Sequence, residues 1–82
     1  VKMTIKNLLE CDVLGTVALL ECKGKDEDGK VIEKRLWTSE ELTGLKDVSG
    51  KYMAREVLEI RPGYYIDGDK VAAMIIILVK EA

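Results

Sequence analysis

The fold of this chain is decided by one apolar run, Val71-Ala72-Ala73-Met74-Ile75-Ile76-Ile77-Leu78-Val79. Apolar residues stand at every position, so a strand formed by the run would bury both of its faces. As a helix it would span about 14 Å, well short of the ~30 Å hydrocarbon core of a membrane. We therefore predict a central β-strand, which needs hydrogen-bonding neighbours on both edges.

We expect the first neighbouring strand of the central strand to come from the clearest β-hairpin in the chain. Thr16 to Lys23 starts with β-branched residues and is largely apolar, and Lys30 to Trp37 returns as a second strand. Between them, Gly24 to Gly29 is a polar turn that contains an Asp-Gly pair. Two extended runs joined by such a turn are typical of a β-hairpin.

The second neighbour is expected from the segment that follows Tyr52, whose pattern is ambiguous. Its apolar residues fit a helical stripe slightly better than a strand. We nevertheless predict a strand from about Arg55 to Ile60, because the first hairpin supplies only one of the two edges that the central strand needs. Pro62-Gly63 and Asp67-Gly68-Asp69 are predicted to be turns.

Two short helical segments complete the predicted elements. Thr4 is placed to cap a helix that turns the three apolar residues of positions 5–9 to one side. Thr38 and Glu41 have the spacing of a capping box and predict a second short helix or helical turn, which ends near Ser49-Gly50. The chain is therefore predicted to form a single α+β domain over residues 1–82. Its sheet would be a small twisted antiparallel sheet or half-barrel of about four strands with one or two short helices.

The charge of the chain indicates which partners it lacks. Thirteen basic and fifteen acidic side chains give a net charge of −2, which predicts no strong attraction to phosphate backbones or anionic lipid. No apolar segment of a secretory signal follows the charged first residues. We expect a soluble cytoplasmic protein that does not contact a membrane.

The residues that usually perform catalysis are scarce. The chain has no histidine, and its two cysteines, Cys11 and Cys22, match no metal or redox spacing. Asp26-Glu27-Asp28-Gly29 departs from a calcium loop, because its glycine comes at position 4 instead of 6. We predict no enzyme, no cofactor, no metal site and no small-molecule substrate. A thiol-dependent enzyme that uses Cys11 or Cys22 as nucleophile is the remaining enzymatic alternative.

A surplus of apolar surface predicts an interaction protein. A single sheet covered by one short helix leaves its second face open, so either the sheet curls on itself or another chain covers that face. Tyrosine and tryptophan are favoured anchors at protein interfaces. The predicted interface residues are Trp37, Tyr64, Tyr65, Ile75 and Ile77.

Binding of nucleic acid by an OB- or SH3-like domain is the alternative function. Basic side chains and an aromatic residue on a strand surface are how OB-like folds hold single strands. Acidic residues alternate with these basic side chains along the sequence and largely cancel their electrostatic field, which argues against nucleic acid as a partner. The candidate contacts for this alternative are Lys23, Lys25, Lys30, Lys34 and Arg35.

Two segments resemble known sequences. Met3-Thr4-Ile5-Lys6-Asn7-Leu8-Leu9 and Tyr52-Met53-Ala54-Arg55-Glu56-Val57 are similar to short proteins encoded by bacteriophages and mobile elements of gut bacteria. The resemblance implies a small accessory or interaction protein and assigns no activity and no site residues. With the surplus apolar surface, it predicts a non-enzymatic protein-interaction module that forms a homodimer or larger homo-oligomer, or binds another protein.

Overall fold

The computed structural model describes residues 2–10, 15–39 and 44–81, without the side chain of Asp47. One short α-helix, four strands and two short 3-10 helices follow one another along these residues. In chain order they are α1 (Ile5–Leu9), β1 (Val17–Lys25), β2 (Val31–Thr38), the 3-10 helices Gly44–Asp47 and Gly50–Tyr52, β3 (Val57–Asp67) and β4 (Lys70–Lys80). The described chain is mostly β, so the helical part of the α+β prediction is small.

The four strands form one mixed sheet in the order β2-β1-β4-β3. The pairs β1–β2 and β3–β4 are antiparallel, whereas β1 and β4 are parallel, with Val17 opposite Ile75. The prediction of an antiparallel sheet was therefore wrong for its central pair. Two hairpins lie side by side, with β1 and β4 inside and β2 and β3 at the edges. The inner strands are buried where they pair, at residues 17–19 and 77–79, so the apolar run is buried on both faces only in its second half.

The structure confirms the predicted central strand and both of its neighbours. β4 contains the whole apolar run and pairs with β1 on one edge and β3 on the other. The strand predicted from about Arg55 to Ile60 is confirmed as the start of β3. Asp67-Gly68-Asp69 is confirmed as the turn of the second hairpin, where Gly68 has a positive φ of 65°.

The turn predicted at Pro62-Gly63 was wrong. Both residues lie inside β3, with Pro62 opposite Ile75 and Gly63 opposite Met74. An edge strand tolerates proline because one of its sides makes no hydrogen bonds to a neighbour. Gly63 gives room to a side chain of β4, since a Cβ atom at this position would lie 2.5 Å from Cδ1 of Ile76.

The first predicted helix is confirmed as α1. The Thr4 hydroxyl accepts a hydrogen bond from the backbone N–H of Asn7, and the Asn7 side chain accepts one from the backbone N–H of Thr4. This reciprocal capping fixes the start of the helix, and Ile5 and Leu8 pack into the hydrophobic core. The second predicted helix depended on Glu41, which lies outside the described residues; Thr38 ends β2 and the two 3-10 helices follow.

One face of the sheet, here called the core face, carries the main hydrophobic core. Alternation along β1 and β4 turns Val17 and Leu19 to the same side as Ile77 and Val79. Residues of α1 and of the 3-10 segments cover them. The buried residues that pack together are Ile5, Leu8, Val17, Leu19, Leu45, Val48, Tyr52, Ile77 and Val79.

The other face, here called the opposite face, is crossed by an ion pair. Nη2 of Arg61 on β3 lies 2.8 Å from both carboxylate oxygens of Glu33 on β2. Because β1 and β4 lie between these edge strands, the two side chains extend over both central strands. Ala18 and Leu78 are buried on this face, with 2% and 6% of their surface exposed. The ion pair supplies part of their cover.

The same ion pair shows that the sheet is strongly twisted. Arg61 is opposite Ile76 and Ile76 opposite Ala18, whereas Glu33 is opposite Cys22, four residues beyond Ala18. In a flat sheet their Cα atoms would be ~14 Å apart across the strands and ~13 Å along them, or ~19 Å in all. Two extended side chains do not reach that far. The twist of the sheet therefore brings these diagonal corners together.

Candidate functional site

The largest exposed apolar feature lies on the core face of the second hairpin. Ile60 is opposite Ile77, Tyr64 opposite Ala73, and Ile66 opposite Val71, so all of these side chains point to the core face. The segments that cover the core leave this end of the hairpin bare. We call the four exposed side chains the apolar stripe; their exposed fractions are Ile60 49%, Tyr64 72%, Ile66 72% and Val71 72%.

The apolar stripe is comparable in size to the largest apolar patch of a typical monomer, which is often a functional surface. Single exposed apolar side chains are normal on any protein, whereas a contiguous patch marks a contact site. From their exposed fractions, the four side chains present on the order of 500 Å² of apolar surface, in the upper part of the ~300–600 Å² found for the largest patch on a monomer. The stripe is also continuous with the core through Ile75, which packs against the buried cluster.

The structure separates the five predicted interface residues. Tyr64 lies in the apolar stripe, and Ile75 lies at its base. Tyr65 points to the opposite face, where its hydroxyl is 3.3 Å from Oγ1 of Thr16. Trp37 is half-buried against the core, and Ile77 is 1% exposed inside it.

Three members of the apolar stripe were missed by the sequence analysis. Their signal is the alternation of Ile60, Pro62, Tyr64 and Ile66, which places every second residue on one face of a strand. The assignment of Pro62-Gly63 to a turn divided this pattern in two. Val71 was included in the predicted strand, but the sequence does not show that the core leaves this end of the strand uncovered.

The structure does not bring the five predicted nucleic-acid contacts onto one surface. Lys34 lies opposite Glu21 on the core side of the sheet, whereas its neighbour Arg35 points to the opposite face. Lys23 forms ion pairs with Glu21 at 2.7 Å and with Glu81 at 3.4 Å. The other two are exposed at the turn end of the first hairpin, where Lys25 ends β1 and Lys30 precedes β2.

A buried carboxylate ties three parts of the chain together. Glu21 on β1 is 4% exposed and accepts hydrogen bonds from Lys23 and from Nη1 of Arg55. Arg55 also donates to the backbone carbonyl of Lys80 at 3.1 Å. The hydrogen bond from Lys23 has the largest effect and that from Arg55 the next largest, and they lower the pKa of Glu21 to about 2. The group therefore stays ionised at neutral pH and serves as a structural anchor.

We expect this anchor to make stability depend on pH in the acid range. The pKa of Glu21 is 4.5 before folding and about 2 after it. Its contribution is therefore fully present above pH 4.5 and is lost as the pH falls towards 2. Glu21→Gln should lower the thermal midpoint at pH 7, and its difference from the native chain should shrink progressively down to pH 2. Calorimetry of both chains between pH 7 and pH 2 measures the two thermal midpoints.

The control for this experiment is Glu27→Gln in the exposed turn of the first hairpin. It should follow the native chain at every pH, because Glu27 makes no ion pair within the described residues. A constant difference between Glu21→Gln and the native chain from pH 7 to pH 2 would contradict the assignment.

A polar groove opens on the opposite face, at the end of the sheet where β1 begins. Its volume is about 400 Å³, which lies in the range of small-molecule sites. One wall comes from the end of β2 and the other from the second hairpin. The lining residues are Thr16, Arg35, Thr38, Ser39, Tyr65, Asp67 and Met74.

Groups typical of metal and thiol chemistry are not assembled in the described residues. No cluster of three or more metal-binding side chains occurs in residues 2–10, 15–39 and 44–81. Cys22 is a free, half-buried thiol on β1, and Cys11 lies outside the described residues. Among the helices of the described chain, none has the length and apolar character needed to cross a membrane.

No known protein family, no curated protein and no solved structure matches this chain. Among the residues that the structure describes, the apolar stripe and the polar groove are the two surfaces with a defined chemistry.

Proposed function

We propose that this protein is a non-enzymatic interaction module that self-associates through the apolar stripe. The observation that carries the proposal is the position of Tyr64, Ile66 and Val71, each 72% exposed, on the same face as the core. We infer that the twisted sheet acts as a half-barrel whose opposite face closes on itself beneath the Arg61–Glu33 ion pair. The core face of the second hairpin is then the surface left for a partner.

A second copy of the chain fits this surface in shape. On the stripe the large side chain of Tyr64 lies directly opposite the small Ala73, and Ile66 lies opposite Val71. A two-fold axis between β3 and β4, parallel to the strands, places Tyr64 of each copy over Ala73 of the other. Such an isologous contact uses the same patch twice and closes at two subunits.

The area of the stripe places this contact among the small interfaces that are typical of weak, transient association. A stable interface of standard size buries ~800 Å² on each partner, and the stripe supplies about 500 Å² of apolar surface. We therefore expect a reversible dimer with a dissociation constant on the order of tens of micromolar.

Sedimentation equilibrium from about 5 to 500 µM tests the proposal, because this range spans the expected constant. The native chain should shift from monomer to dimer within it. Ile66→Lys should raise the dissociation constant at least about tenfold, because dimerisation would then bury an unpaired ammonium group. The circular dichroism of the variant should match that of the native chain, since Ile66 makes little contact with the core.

The matched control is Ile32→Lys on the other edge strand, where an isoleucine is 45% exposed outside the stripe. It should leave the dissociation constant unchanged. A native chain that stays monomeric up to the highest concentration would refute self-association, and equal weakening by the two lysine variants would refute the stripe as its site.

A further inference from the structure

We propose that the polar groove on the opposite face binds a small zwitterion of the α-amino acid class. The groove lies on the other side of the sheet from the apolar stripe, so binding there does not depend on self-association. The inference rests on two opposite charges that face one cavity without meeting, and on hydroxyl groups between them that retain a hydrogen to donate.

The two charges come from different walls of the groove. Arg35 is on β2, opposite Leu20, and Asp67 ends β3, opposite Lys70. Both are exposed and both line the groove. Neither side chain makes a hydrogen bond or ion pair with any part of the chain that the structure describes. A guanidinium on one wall and a carboxylate on the other are therefore both available to a ligand.

The floor of the groove adds hydrogen-bonding groups in fixed positions. Oγ1 of Thr16 and the hydroxyl of Tyr65 are 3.3 Å apart, and either can donate to the other. Whichever of them donates, the other keeps a hydrogen for a ligand atom. Ser39 holds the start of β1 in place, because its hydroxyl accepts from the N–H of Val17 at 2.7 Å and donates to the carbonyl of Gly15 at 3.3 Å.

This arrangement selects among classes of small molecules. A simple anion would bind Arg35 but face the carboxylate of Asp67, and a simple cation would meet the reverse problem. A neutral sugar would use the hydroxyls and leave both charges without partners. An α-amino acid offers its carboxylate to Arg35, where a guanidinium can bind it through two hydrogen bonds, and its ammonium to Asp67. Met74 supplies an apolar surface for its side chain.

The test is a titration of the ¹⁵N-labelled protein with each proteinogenic L-amino acid, followed by amide chemical shifts up to about 10 mM. At least one amino acid should shift the amides of Thr16, Thr38 and Ser39. Its decarboxylated amine and its deaminated acid should each bind at least about tenfold more weakly, since each lacks one charge. The absence of shifts with every amino acid, or equal binding of the amine or the acid, would overturn the proposal.

Variants locate the site. Arg35→Met and Asp67→Asn should each raise the dissociation constant about tenfold or more. The matched controls are their neighbours outside the groove, Lys34→Met and Asp69→Asn, which should bind as the native chain does. If the controls weaken binding as much as the groove variants, the ligand does not bind in the groove. Repeating the titration with Ile66→Lys separates this result from self-association, because that variant should retain amino-acid binding.

Discussion

Replacing Leu19 with alanine is expected to destabilise the fold by about 3–5 kcal/mol, because the deletion leaves a cavity in the centre of the core. Leu19 is fully buried on β1, opposite Trp37 on one side and Ile77 on the other. At typical stabilities per residue, a chain of this length has about 4–12 kcal/mol in total. The loss is therefore a large part of the total stability, and urea unfolding followed by circular dichroism measures it.

Leu58→Ala is the matched control for this prediction. Leu58 is a leucine in the same sheet, but 48% of it is exposed. Its truncation should cost less than about 1 kcal/mol, since about half of the residue already contacts water and little cavity would be left. Similar losses at the two positions would mean that the core is not centred on β1.

Replacing Gly63 with valine should cost about 1–3 kcal/mol, the usual cost of adding atoms to a site that is already filled. A Cβ atom at Gly63 would lie 2.5 Å from Cδ1 and 2.9 Å from Cγ1 of Ile76, and 3.2 Å from Cγ of Met74. Ile76 would have to leave its position over β3. Without this contact, valine would be expected to stabilise an edge strand, because its branched side chain suits the extended backbone.

A double-mutant cycle with Ile76→Ala tests the cause of that loss. When Ile76 is shortened, the space beside Gly63 opens, and Gly63→Val should then cost much less than it does in the native chain. Urea unfolding of the four chains measures the coupling. If valine costs the same in both backgrounds, the loss arises from the backbone of β3 and not from the contact with Ile76.

The parts of the fold that were predicted correctly have local signals. The cap at Thr4, the polar turn after β1 and the unbroken apolar run of β4 are each visible in a few adjacent residues. The strand predicted from about Arg55 to Ile60 follows from the requirement that β4 be paired on both edges, and β3 confirms it from Val57 onward although the periodicity slightly favours a helix. The need to pair both edges of β4 with hydrogen bonds predicted the structure of this segment better than the spacing of its own apolar residues did.

The parts that were missed depend on distant residues. Whether β1 and β4 pair in parallel is decided by how the two hairpins join, and neither strand contains a signal for it. Pro62-Gly63 has the composition of a turn, but its position opposite Ile75 and Met74 makes it part of an edge strand. The polar groove likewise joins residues from both hairpins, so no run of sequence displays it. Its charged members, Arg35 and Asp67, are 32 positions apart (35 to 67).

The parallel pairing of β1 with β4 has a consequence for the folding pathway. Val17 meets Ile75 and Glu21 meets Val79, contacts that each span 58 positions (17 to 75 and 21 to 79). Because the two hairpins close over short loops, we expect them to form before the central seam between them. Loop closure over this distance raises the entropic barrier, which places the chain among the slower folders of its size. We therefore expect the centre of the sheet to be the last part to assemble, and its amide hydrogens to exchange with solvent when the two hairpins separate.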